Sequence, residues 1–132
     1  MRYLLDTCTV SDFVRGEAHT LDRVKHTPPD EIAVSTITEM EIAYGLRLNP
    51  ALSRRIKPMM DIFLATISIL PYDRAAASAC AELRAILKRQ GRPIGAYDAL
   101  IASTALAHEL ILVTSNRREF ERVAGLRTED WR

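Results

Sequence analysis

Three carboxylates lie where the surrounding sequence predicts either the end of a strand or an apolar side chain. Asp6 ends the apolar run RYLLD, and Glu41 and Asp98 fall on the core-facing sides of two predicted helices. Oxygen ligands of this kind suit hard divalent cations such as Mg²⁺ or Mn²⁺ better than Zn²⁺. A bound cation would also relieve the repulsion that raises the pKa of neighbouring carboxyl groups. The three acids therefore indicate a site for a divalent metal.

Helical spacing marks two of these acids as unusual. The residues predicted to share a face with Glu41 are Ile37, Tyr44 and Leu48, and those predicted to share a face with Asp98 are Ile101, Ala102 and Ala105. Each carboxylate thus interrupts a largely apolar stripe that should meet the core. An unpaired carboxylate is costly to bury, so a function for each is expected.

Structural roles are open for all three acids at this point. Asp6 could cap the helix that follows it, and Asp98 could be the N-cap of its own helix after the break at 93–95. Glu41 could reach solvent or pair with an arginine.

The elements that must position these acids alternate between strand and helix. Predicted strands cover 2–6, 32–34, 67–70 and 111–114, with a last edge strand at 126–128. Predicted helices end near 14 and cover 21–25, 36–48, 52–65, 73–91 and 96–109, with a short helix around 120–123. Thr36 and Glu39 form a capping-box signature, Asp73 is a further predicted N-cap, and Gly91 is a predicted helix end.

This alternation favours an α/β fold in three layers, α/β/α, with a central, mainly parallel sheet of four to five strands. Such sheets bind ligands beyond the carboxyl ends of their strands. Asp6 is expected at that edge.

Composition limits the class of protein further. A chain of 132 residues with 48% hydrophobic content fits one domain, and a net charge of +1 gives no global field for polyanions. No apolar run approaches the roughly 20 residues that cross a bilayer. Without a secretory signal, Cys8 and Cys80 indicate a reduced, cytoplasmic setting, with Cys8 as a small packing residue.

Several other kinds of site are excluded by spacing. The three histidines, His19, His26 and His108, lack zinc-like spacing, and no phosphate-binding loop with Gly-Lys-Ser/Thr occurs. Cys8 occupies the position where a haloacid dehalogenase would need its second aspartate.

Three segments together resemble the PIN-domain family, and in particular its VapC-type toxins. LLDTCTVSDF at 4–13 resembles the first strand and helix of the family, and STITEMEIAYG at 35–45 resembles its second motif. The segment at 93–131, PIGAYDALIASTALAHELILVTSNRREFERVAGLRTEDW, is similar to VapC toxins throughout. The resemblance implies a single PIN-like nuclease domain over 1–132.

The same resemblance implies an activity and its residues. Asp6, Glu41 and Asp98 would be catalytic and would ligate Mg²⁺, with Mn²⁺ able to substitute, in an endoribonuclease that leaves 5′-phosphate and 3′-hydroxyl ends, with transfer RNA as a candidate substrate. Many family members carry a fourth acid where this chain has Asn116, which would act as an outer-sphere ligand. Glu119 is a weaker substitute for that acid.

Partners follow from the same comparison. The resemblance implies a homodimer held inactive by a small VapB-like antitoxin, with no membrane association. RNA contacts are expected from two basic clusters near the acids: Lys88, Arg89 and Arg92, and Arg117 and Arg118. The alternative is a catalytically weak PIN-fold partner in an antitoxin-containing repressor complex that binds DNA.

Overall fold

The strands form one parallel sheet of five in the computed structural model, which describes all residues 1–132. The strands are β1 (Tyr3–Leu5), β2 (Ile32–Ser35), β3 (Ser68–Leu70), β4 (Ile111–Val113) and β5 (Thr128–Glu129). Their order across the sheet is β3-β2-β1-β4-β5, and every neighbouring pair is parallel. The predicted fold class is confirmed.

Seven helices connect and cover the strands. They are α1 (Thr7–Val14), α2 (Ala18–Lys25), α3 (Thr36–Leu48), α4 (Pro50–Thr66), α5 (Arg74–Arg89), α6 (Ala96–Ala107) and α7 (Arg117–Phe120), with a 3₁₀ turn at Pro29–Glu31. None of them combines the length and the apolar character needed to traverse a bilayer.

The central strands are buried on both faces, and their side chains alternate between two cores. Leu4, Ala33 and Leu112 face a core formed with α5, α6 and α7. The residues on either side of them in β1, β2 and β4 face the second core, which includes side chains from α1, α3 and α4. This period of two is what a sheet covered on both faces requires, and it gives the three layers.

The order of the strands places a switch point at the carboxyl end of β1. From β1 the chain adds β2 and β3 on one side, whereas β4 and β5 lie on the other. Connections leaving in opposite directions open a crevice beyond β1, where open α/β sheets bind ligands. Asp6 directly follows β1, so it lies at this crevice.

The cap of α3 differs from the prediction. Ser35 is the N-cap, and its hydroxyl accepts a hydrogen bond from the Thr38 amide at 3.1 Å. Because Thr36 is already helical, the predicted capping box of Thr36 and Glu39 is wrong. The prediction that Asp73 caps the next long helix is confirmed, since its carboxylate accepts from the Ala76 amide at 2.8 Å.

Several boundaries also shift. Helix α2 begins at Ala18, because the Glu17 side chain caps it, and α4 begins at Pro50, because Asn49 caps it. Helix α6 ends at Ala107, ahead of Glu109, whose φ of 55° is left-handed. The last strand pairs at Thr128–Glu129 rather than at 126–128.

Leu112 supplies a test of the core. It is fully buried in β4, whereas Leu48 at the end of α3 is 67% exposed. We expect Leu112→Ala to lower the free energy of unfolding by about 2–5 kcal/mol, because it leaves a cavity, and Leu48→Ala to change it by less than about 0.5 kcal/mol. Urea unfolding of both variants measures this, and equal effects would contradict the assignment of the core.

Candidate active site

Asp6 is buried at the turn from β1 into α1, with 4% of its surface exposed. Its carboxylate accepts a hydrogen bond from the Thr9 amide at 2.8 Å and so caps α1. Burial raises the pKa of Asp6, while hydrogen bonds from Thr114 and Thr9 act in the opposite direction. The Thr114 hydroxyl accepts from the Asn116 amide at 2.9 Å, so its own proton is free to point at Asp6. The capping role considered for Asp6 is therefore real, and it holds the acid at the sheet edge.

Glu41 is tied to the first helix by a side-chain hydrogen bond. The Thr7 hydroxyl donates to Glu41 Oε1 at 2.7 Å, which joins α1 to α3 next to Asp6. The predicted apolar stripe around Glu41 is wrong, because Tyr44 and Leu48 are 62% and 67% exposed. Glu41 forms no ion pair, so the arginine alternative is also wrong.

Asp98 lies in the first turn of α6 and is half-buried. Gly95, not Asp98, is the N-cap, so the predicted alternative of Asp98 as a cap is wrong. The prediction that its face meets the core is supported by Ile101, Ala102 and Ala105, which are all buried. Burial raises the pKa of Asp98 to about 7, with Glu119 as the next cause and with Asp6 and Glu41 contributing.

Glu119 completes this cluster and keeps its own charge. Its Oε1 accepts from the Gly95 amide at 2.9 Å and its Oε2 from Asn116 Nδ2 at 2.7 Å. These donors, with the amide of Gly95 the largest cause, lower the pKa of Glu119. The pKa values of the two carboxyls therefore move in opposite directions, that of Asp98 upward and that of Glu119 downward.

Gly95 lies close to these acids. A Cβ there would lie 3.3 Å from Asp98 Oδ2 and 3.8 Å from Glu119 Oε1. A larger residue would press on the Asp98 carboxylate directly.

The three predicted acids are close enough to affect pKa values in their neighbourhood. Asp6 and Glu41 contribute to the raised pKa of Asp98. Partial burial is the largest cause that raises the pKa of the Cys8 thiol, and all three acids raise it further. Cys8 itself is exposed, so the prediction of a packing residue is wrong.

No three acidic, histidine or cysteine side chains lie in an arrangement that would hold a metal as they stand. Metal binding by Asp6, Glu41 and Asp98 stays a prediction.

The donor set nevertheless fits a hard cation. Asp6, Glu41, Asp98 and Glu119 offer only oxygen, and none of them is neutralised by an ion pair. Their neighbours are hydroxyl and amide donors, which hold a carboxylate without cancelling its charge. The crowded negative charge is what a divalent cation would offset.

A cavity of about 900 Å³ lies between α3 and α4, and its lining includes none of the three predicted acids.

The basic candidates are all exposed and fall in two groups along the chain. Lys88 and Arg89 form the last turn of α5, and Arg92 follows them before α6. Arg117 and Arg118 begin α7, with Arg117 Nε donating to Thr128 Oγ1 at 3.2 Å.

Sequence reasoning missed the threonines and the glycine that organise the site. Thr7 and Thr9 follow the end of β1, and Thr114 follows the end of β4. Their position directly after a strand is the feature by which the sequence could have indicated them. Nothing in the sequence near Gly95 indicates its role, because its partner Glu119 is distant in sequence.

A five-stranded parallel sheet with acids at its switch point agrees with the match of residues 3–126 to the PIN domain family model. The chain belongs to the PIN domain family.

Within that family, the chain is similar along almost its whole length to proteins named VapC. It is 37% identical to the tRNA(fMet)-specific endonuclease VapC of Shigella flexneri, over 99% of this chain and 98% of the relative. It is 38% identical to ribonuclease VapC2 of Haemophilus influenzae, with the same shares covered.

Solved structures agree with this. The DNA-bound VapBC complex of Salmonella typhimurium contains a chain that matches with a TM-score of 0.91 at 34% identity, covering 100% of this chain and 99% of that one. The VapBC2 complex of Rickettsia felis, bound to a fragment of promoter DNA, matches with a TM-score of 0.88 at 30% identity, with complete coverage of both chains.

The burial of Asp98, together with the crowding of acids around it, predicts a gain in stability when Asp98 loses its charge. A carboxyl whose folded pKa is raised from 3.8 to about 7 destabilises the fold increasingly as pH rises through that window. With chelator at pH 8, we expect Asp98→Asn to raise the Tm by a few degrees, with no gain at pH 4. Calorimetry at both pH values measures the difference.

Asp61→Asn is the matched control, because Asp61 is exposed and pairs only with Lys57. It should give no rise in Tm at either pH. A Tm for Asp98→Asn at or below wild type at pH 8 would contradict the crowding.

Proposed function

We propose that this protein is a metal-dependent endoribonuclease, the toxin of a toxin-antitoxin pair. The observation that carries the proposal is the group of unneutralised acids at the carboxyl edge of β1. The similarity to enzymes named tRNA(fMet)-specific endonuclease and ribonuclease supports it. The reaction is hydrolysis of an RNA phosphodiester to 5′-phosphate and 3′-hydroxyl ends, with transfer RNA as the candidate substrate.

Asp6, Glu41 and Asp98 are the proposed catalytic residues and metal ligands. Hard oxygen donors favour Mg²⁺, with Mn²⁺ as a substitute. When bound, the metal would lower the pKa of a water molecule and offset charge on the phosphate.

The protein's own groups orient these ligands. The Thr9 amide holds Asp6, and the Thr7 hydroxyl holds Glu41 Oε1 at 2.7 Å. Asn116 acts through Glu119, to which it donates at 2.7 Å, and Glu119 is the first cause after burial that raises the pKa of Asp98. We therefore assign Asn116 and Glu119 a positioning role in place of the fourth acid.

Substrate contacts are proposed for the exposed basic residues of the two predicted clusters: Lys88, Arg89, Arg92, Arg117 and Arg118. Their charges are local in a chain whose net charge is only +1, so RNA would be attracted to these clusters and not to the whole surface. Binding should weaken as salt rises.

The proposed partner is a VapB-like antitoxin, with the toxin as a homodimer. The supporting observation is that the matching chains were solved in VapBC complexes from Salmonella typhimurium, Rickettsia felis and nontypeable Haemophilus influenzae.

Removing the proposed ligands should abolish cleavage. We expect Asp6→Asn, Glu41→Gln and Asp98→Asn each to lower the rate of transfer RNA cleavage by about a hundredfold or more, because each removes a charged ligand. The purified, antitoxin-free protein is assayed with Mg²⁺, with Mn²⁺ and with chelator, and the product ends are mapped.

Asp61→Asn should cleave like wild type, since Asp61 is exposed on α4. Wild-type activity in all three ligand variants would overturn the site, and cleavage that persists in chelator would overturn the metal requirement.

The hydroxyl of Thr7 should be needed to position Glu41. Thr7→Val keeps the shape of the side chain but removes the hydrogen bond, and a hydrogen bond to a charged group contributes about 1.5–3 kcal/mol. We expect a drop of about tenfold or more in kcat/KM, and a higher Mg²⁺ concentration for half-maximal activity. Thr7→Ser should restore both values, and equal activity of the valine and serine variants would contradict the role.

A second candidate function is a weakly catalytic partner in a DNA-binding repressor complex. The observation that favours it is that the complexes from Salmonella typhimurium and Rickettsia felis were solved on DNA. The absence of RNA cleavage by antitoxin-free wild-type protein, together with tight operator binding by the complex, would support this function over the first.

A further inference from the structure

A cavity of about 510 Å³ lies between the second half of α5 and the segment that leads into α6. Seven residues line it: Arg84, Ala85, Leu87, Lys88, Pro93, Ile94 and Ala96. Its size falls in the range of sites that enclose a small ligand. Two of the lining residues are cations, and none is acidic.

The wall of this cavity is shared with the candidate active site. Ile94 and Ala96 line the cavity, while Gly95 between them donates to Glu119 Oε1 at 2.9 Å. Arg122 Nη1 donates to the Pro93 carbonyl at 2.9 Å, which fixes the start of the same segment. The cavity therefore begins within one residue of a group that contacts the acidic cluster.

The two cations have no partner within the fold. Arg84 and Lys88 are exposed, form no ion pair, and are one helical turn apart on α5. Like charges at this spacing disfavour a helix. The helix dipole favours Lys88 in the last turn, but it does little for Arg84. Packing alone thus gives no reason for this pair.

The lining matches the chemistry of one nucleotide. A guanidinium and an ammonium suit a phosphate, and the apolar side chains of Ala85, Leu87 and Ile94 suit the face of an unstacked base. We propose that the cavity binds one nucleotide of the RNA strand, next to the phosphodiester that is cleaved. This rests on the proposed function and adds Arg84, which sequence reasoning missed, to its substrate contacts.

Charge removal is the first test. The probe is a short, 5′-labelled single-stranded RNA, and its Kd is measured by fluorescence anisotropy in chelator, so that no cleavage is needed. We expect Arg84→Ala/Lys88→Ala to raise the Kd by about tenfold. The slope of log Kd against log salt concentration should fall by about 0.7 for each phosphate that is no longer neutralised. The matched control is Arg54→Ala/Arg55→Ala, which removes two exposed arginines of α4 that form no ion pair and lie outside the cavity lining, and it should have a smaller effect.

Filling the cavity separates a nucleotide pocket from a merely basic surface. Ala85→Phe leaves every charge in place but occupies the space, so we expect a similar rise in Kd with an unchanged salt dependence. Ala85→Leu is a smaller filler that favours helix, and it guards against a failure of the larger variant to fold. Circular dichroism checks each fold.

The outcomes are distinct from those for the proposed function. If wild-type protein binds and cleaves RNA but neither filler weakens binding, the pocket is overturned while the nuclease stands. If Arg84→Ala/Lys88→Ala binds like Arg54→Ala/Arg55→Ala, the pocket is likewise overturned. If wild-type protein does not cleave RNA, the proposed function fails by itself, and the Kd values still decide whether the cavity binds a nucleotide.

Discussion

Negative charge held at the carboxyl end of β1 is the constraint on which the rest of this structure depends. Asp6 is almost completely buried there, and a buried carboxylate is stable only when donors surround it. The sheet order fixes the place, because β1 lies between β2 and β4 and its end opens into the crevice between them. The Thr9 amide and the Thr114 hydroxyl supply the donors. The same turn thus ends the strand, caps α1 and presents an acid.

The way in which the neighbouring acids are held follows from this constraint. Glu41 and Glu119 receive hydrogen bonds from a hydroxyl and from amides, never from a lysine or an arginine. An arginine would have neutralised the edge, whereas neutral donors fix the geometry and leave the charge. Burial and this unneutralised charge together raise the pKa of Asp98 to about 7. Such perturbed groups collect at functional sites, because function needs an arrangement that stability alone would not favour.

Local signals in the sequence predicted the strands and some caps, whereas the contacts that build the site depend on packing. The apolar runs of the central strands are buried on both faces, and Asp73 has its capping partner only three residues away. The predicted bounds of β5 were wrong, because its position is set by pairing with β4 and not by its own residues. Thr7 and Glu41 are 34 positions apart, and Gly95 and Glu119 are 24 apart. The acids could be recognised by type, but their partners follow from how α1, α3, α6 and α7 pack.

The contact between Asn116 and Glu119 follows from the geometry of α7. Asn116 is the N-cap of this single-turn helix and Glu119 is its third residue, so helical geometry brings the two side chains together at 2.7 Å. With the Gly95 amide on its other oxygen, Glu119 has both oxygens occupied by donors and stays ionised. The side-chain amide of Asn116 therefore contributes no charge of its own, but its hydrogen bond helps to keep Glu119, three residues away, ionised. The hydrogen bond joins Asn116 to Glu119, and Glu119 in turn is the first cause after burial that raises the pKa of Asp98.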